Sequence, residues 1–129
     1  MLRRWILVTA LSLCASTAAL AADVNGMWTD VAGADFKNGH LVLAQDGGKV
    51  HMAHYLEYKG MPMVEHGHGS YRDGKIVLKV KVSKPIPGWA VAGTHTLQLS
   101  EDGNTLKGEY VDSRGNKGPL EFRRVQPMK

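Results

Sequence analysis

From Val50 onward the chain alternates apolar and polar residues with a period of two, interrupted at short intervals by glycine-containing pairs. The pairs Gly47-Gly48, Lys59-Gly60, Asp73-Gly74, Asp102-Gly103 and Gly115-Asn116 read as hairpin turns. Between them the pattern predicts about eight strands, at 26–31, 39–45, 49–58, 61–72, 75–83, 91–100, 105–112 and 118–125, and almost no helix. If Asp73-Gly74 is a two-residue turn, Tyr71 pairs with Ile76, Gly69 with Leu78, Gly67 with Val80 and Glu65 with Val82. Ile76, Leu78, Val80 and Val82 then face a core, while Lys75, Lys79 and Lys81 face water.

Carrying this register back through Lys59-Gly60 pairs Leu56 with Met63, His54 with Glu65 and Met52 with Gly67. Through Gly47-Gly48 it pairs Leu43 with Met52 and Leu41 with His54. Three turns agree on one interior, and a slip of one residue in any of them would turn apolar side chains to solvent. Further on, His95, Leu97, Leu99, Leu106, Gly108 and Tyr110 share one side, and Leu120, Phe122 and Arg124 continue it. A meander of this length must close or expose long edges, so the expected fold is all-β, an antiparallel up-and-down barrel.

The N-terminus departs from this pattern. Arg3 and Arg4 precede an apolar run from Trp5 to Leu13 and small residues ending at Ala19-Leu20-Ala21, the layout of a cleaved export signal. The expectation is a signal peptide at 1–21 and a single domain at 22–129, exported to the periplasm or secreted. The run is too short for a membrane span, which needs roughly 20 apolar residues, and no transmembrane segment is expected later. Cys14 leaves with the signal, which excludes thiol chemistry. Loss of Arg3 and Arg4 takes the formal charge from +4 to +2, so no nucleic-acid partner is expected.

Asn25-Gly26-Met27-Trp28 places a Gly-x-Trp in the first strand of a β-meander whose last strand carries Arg123 and Arg124. This resembles the calycin superfamily of lipocalins, avidins and fatty-acid-binding proteins. The resemblance implies a barrel closed at one end by Trp28 packed against Arg124, or Arg123, with Gly26 as a structural residue of the same motif. It does not carry biotin binding over, because the polar first-strand loop set of avidin is missing.

The conspicuous histidines, His66 and His68, have the outward parity beside Lys81 and Lys79, where ammonium groups oppose a cation. The inward set is quieter: His54 faces Glu65, His95 shares the interior, and Gly67 and Gly69 either leave room there or merely let the strand bend. His54 and Glu65 form either one satisfied buried pair or polar groups that orient a ligand in an apolar barrel. The candidate ligand-binding residues are Met52, His54, Met63, Glu65 and His95, with Trp89, in the proline-rich connection, at the mouth. The chain reads as a non-enzymatic barrel binding a small apolar or amphipathic molecule, since a dyad without nucleophile or cofactor names no reaction. Two alternatives stand beside it: copper bound by Met52, Met63 and His54, thioether and imidazole suiting Cu(I), or an inhibitor or adaptor whose loops bind another exported protein. Ligand, cofactor and oligomeric state are left open.

Overall fold

The computed structural model describes residues 23–31, 33 and 35–129. The expected signal peptide at 1–21 lies outside the described residues. Eight strands follow in order: β1 (Gly26–Asp30), β2 (Phe36–Asp46), β3 (Lys49–Tyr58), β4 (Met61–Arg72), β5 (Lys75–Val82), β6 (Ala92–Leu99), β7 (Thr105–Asp112) and β8 (Lys117–Arg124). Each pairs antiparallel with the next, and β8 returns to β1 through Trp28↔Arg124, Thr29↔Arg123 and Asp30↔Phe122. The sheet is therefore a closed up-and-down barrel without a free edge.

The register predicted from parity is the register observed. His54 pairs with Glu65, Met52 with Gly67 and Leu43, and Gly69 with Leu78. His66 and His68 are exposed and sit opposite Lys81 and Lys79. The turns explain why: Lys59, Gly60, Asp73 and Gly74 all take positive φ, between 49° and 79°, the geometry of the tight hairpin turns whose twist matches that of the strands.

One boundary differs from expectation by more than a single residue. β2 begins at Phe36, because the ladder runs on through a bulge between Lys37 and His40, where Asn38 has φ 54° and its amide donates to Glu57 Oε2 at 2.6 Å. The bulge lets two residues oppose one and re-aims the strand. A side chain on Gly39 would begin 2.5 Å from the Cβ of Asp30, so this glycine makes the space that Asp30 uses to lean inward.

Gly67 and Gly69 do not open the interior as their parity suggests. A Cβ on Gly69 would fall 1.7 Å from the Val77 carbonyl oxygen, and one on Gly67 would fall 2.6 Å from that of Lys79. The backbone of β5 fills this space, so the glycines let β4 coil closely over its neighbour.

The two ends of the barrel differ. At the end holding Asp23, Asn25 and Gly103, Trp28 is fully buried and the Arg124 guanidinium lies 4.3 Å from its ring centroid. Arg124 donates from Nη1 to the Asn25 carbonyl, from Nη2 to that of Asp23 and from Nε to that of Gly103, at 2.7–3.0 Å. Trp28 Nε1 donates to the Val24 carbonyl at 3.1 Å. Stacked and hydrogen-bonded in this way, the guanidinium ties three chain segments across the floor. The apolar core, including Leu41, Ile76, Leu78, Leu97, Leu106 and Phe122, fills this half.

Candidate functional site

Above Phe122, toward the opposite end, the interior turns polar. The same period of two that buries Trp28 puts Asp30 inside, two residues along β1, and brings His54 from β3, Glu65 from β4 and His95 from β6 to one level. His54, Glu65 and His95 are all buried, at 2–7% exposure. Glu65 Oε1 accepts a hydrogen bond from His54 Nδ1 at 2.8 Å and lies 3.8 Å from His95 Nε2. The other ring nitrogen of His54, Nε2, is 3.3 Å from Asp30 Oδ2, close enough for charge attraction but out of line for a hydrogen bond. The Phe122 ring meets the imidazole edge-on, with centroids 5.4 Å apart.

Electrostatics divides the two histidines. Burial alone would depress the pKa of His54, but its contacts with Asp30 and Glu65 outweigh burial and push it up to about 9. Burial dominates at His95 and lowers its pKa below the ordinary 6.5, against the pull of the Glu65 carboxylate. At neutral pH His54 is therefore an imidazolium between two carboxylates, and His95 a neutral imidazole.

A stability profile follows. The pKa of folded His54 is above its unfolded value, so its contribution is complete below pH 6.5 and is lost as pH rises toward 9. At 1.36 kcal/mol per unit, that loss is about 3 kcal/mol. His95 acts in the opposite sense, since the unfolded chain binds its proton more readily and stability falls as pH drops below 6.5. Urea unfolding from pH 5 to 10 should show a maximum near pH 6.5–7, and His54→Leu should flatten the alkaline limb.

These groups form the floor of a cavity of about 450 Å³ at the barrel mouth. Leu56, Val80 and Leu120 line it, with Tyr110 as a further polar group. Trp89, on the connection between β5 and β6, stands edge-on to Phe36 at 5.3 Å and to Tyr58 at 4.9 Å, so the rim carries three mutually packed aromatic rings. Cavities of a few hundred cubic ångströms, apolar with a few convergent polar groups, are how small-molecule sites are built.

Of the residues expected from sequence, His54, Glu65, His95 and Trp89 meet at this cavity. Met52 and Met63 do not line it. Met52 pairs with Leu43 and Gly67 one step nearer the closed end and belongs to the apolar core, and Met63 is buried at 2% exposure. The methionine and histidine set for Cu(I) is thus not gathered around the cavity, and both His54 nitrogens face carboxylates. Sequence reading missed Asp30 and Phe36, and placed Tyr110 on the interior side without counting it among the candidate site residues. Extending the parity of Trp28 by one step would have placed Asp30 inside the barrel.

Comparison with family models, with curated proteins and with solved structures finds no match. The functional reading accordingly rests on the geometry of the site.

Proposed function

We propose that this chain is a non-enzymatic, extracytoplasmic, calycin-like barrel that binds a small apolar or amphipathic molecule in the mouth cavity. The observation that carries this reading is the cavity itself, about 450 Å³, whose walls mix apolar side chains such as Leu56, Val80 and Leu120 with polar ones such as Asn116 and Lys117, with an aromatic rim and a floor of four titratable groups. The Trp28–Arg124 stack at the opposite end supports the calycin-like assignment, and the export-signal layout of residues 1–21 supports the compartment. His54 is engaged by two carboxylates, not by a hydroxyl or thiol, which favours binding over covalent chemistry.

The neutral fluorophore N-phenyl-1-naphthylamine provides the test. It should bind saturably and quench tryptophan emission by energy transfer from Trp89 at the rim. Trp89→Ala should weaken binding about tenfold, the loss of roughly 1.4 kcal/mol of aromatic contact. Absence of saturable binding to the folded wild-type protein would remove the ligand-binding reading.

A further inference from the structure

We infer that the cavity takes a small organic cation, an ammonium head held by Asp30 and Glu65 with its apolar body against Leu56, Val80 and the Trp89 rim; this rests on the ligand-binding reading above. Two carboxylates, Asp30 and Glu65, share the floor with two imidazoles. If His54 is charged and His95 neutral, the floor carries one net negative charge; if both are neutral, it carries two. The sign is the same in either case, and a partly desolvated negative site favours a positive guest.

Hydrogen bonding points the same way. Among the described residues Glu65 accepts one side-chain hydrogen bond, at Oε1, and Asp30 faces the cavity with Oδ2 3.3 Å from His54 Nε2 but out of line for a hydrogen bond. His95 is buried and lines the cavity without a hydrogen bond to the described residues, its nearest charged partner 3.8 Å away. A carboxylate or phosphate guest would set its acceptors against the two carboxylates that line the cavity, whereas an ammonium brings donors to them. The remaining charged groups around the cavity, Asp35 and Asp112 against Arg114 and Lys117, balance in number. The Asp112 carboxylate is also occupied, accepting from the Arg114 and Asn116 amides and from Asn116 Nδ2 at 2.9–3.1 Å. Selection by charge thus falls to the floor, and the aromatic rim adds a face that also attracts cations.

The test compares three guests with one body and different heads: 2-phenylethylamine, 2-phenylethanol and phenylacetate, each displacing N-phenyl-1-naphthylamine at pH 7. The amine should displace the fluorophore at about tenfold lower concentration than the alcohol, with phenylacetate the weakest. In Asp30→Asn the advantage of the amine over the alcohol should fall below about threefold, and Glu65→Gln provides a second variant if the first fails to fold. Any other ranking in the wild type overturns the inference, including failure of the amine to displace a bound fluorophore, and leaves the cavity a binding site for another class. If the fluorophore does not bind either, both the inference and the ligand-binding reading fall.

Discussion

Trp28→Ala is expected to cost roughly 3–5 kcal/mol, the range for a fully buried large aromatic residue. This is a large share of the 5–15 kcal/mol that holds an ordinary domain together. Three losses coincide at this residue: the packed indole, the Nε1 bond to the Val24 carbonyl, and the surface on which the Arg124 guanidinium lies 4.3 Å above the ring. Without the indole, Arg124 keeps its three carbonyl acceptors but loses the platform that orients it. Trp28→Phe should retain most of the packing and lose chiefly the N–H bond, costing about 1–2 kcal/mol beyond the small volume change. Chemical denaturation of the two variants distinguishes these outcomes; a Trp28→Ala protein within 1 kcal/mol of wild type would show that this end of the barrel is not closed as described.

Glu65→Ala should be of similar size, roughly 3–5 kcal/mol, because it leaves a buried imidazolium with one partner out of line. His54 should respond by losing its proton well below pH 9, its main hydrogen-bond acceptor being gone. The double variant His54→Leu with Glu65→Leu provides the informative comparison. Replacing a buried ion pair with apolar residues of similar size is often neutral or stabilising, so the double variant should recover most of the lost stability. If the polar floor serves a ligand, the same variant should lose binding of 2-phenylethylamine while folding normally. Recovery of stability with binding intact would reduce His54 and Glu65 to a structural pair.

The contrast between what was and was not legible in the sequence is a contrast between parity and height. Inward or outward orientation was readable because the turns at Gly47-Gly48, Lys59-Gly60 and Asp73-Gly74 lock one register, and because Lys75, Lys79 and Lys81 mark the outer face. Parity places the His54–Glu65 pair inside and turns His66 and His68 to solvent. It could not say how far along the barrel axis an inward residue lies. Met52 and His54 share a face, yet one step along β3 separates packed core from polar floor.

Barrel closure was likewise hidden from local pattern. His95 reaches Glu65 from β6, two strands away, and Asp30 reaches His54 from β1, two strands away on the other side. Neither approach is a strand pairing, so no hairpin register predicts it. Phe36 was missed because the alternation places the start of this strand at residue 39, whereas a bulge between Lys37 and His40 carries the ladder back to Phe36. Parity alone left the glycines of β4 open between room for a guest and a bend of the strand, and the Val77 carbonyl above Gly69 decides for the bend.

The central claim is that a guest sits on the floor formed by His54, Glu65 and His95, beneath the aromatic rim. The most direct test follows the histidine ring signals of isotope-labelled protein by nuclear magnetic resonance while N-phenyl-1-naphthylamine is added to saturation. His54 and His95 should shift with the binding isotherm while the exposed rings of His51, His66 and His68 stay in place. A saturating fluorophore that moves only the exposed rings, or none of the six, would contradict the claim.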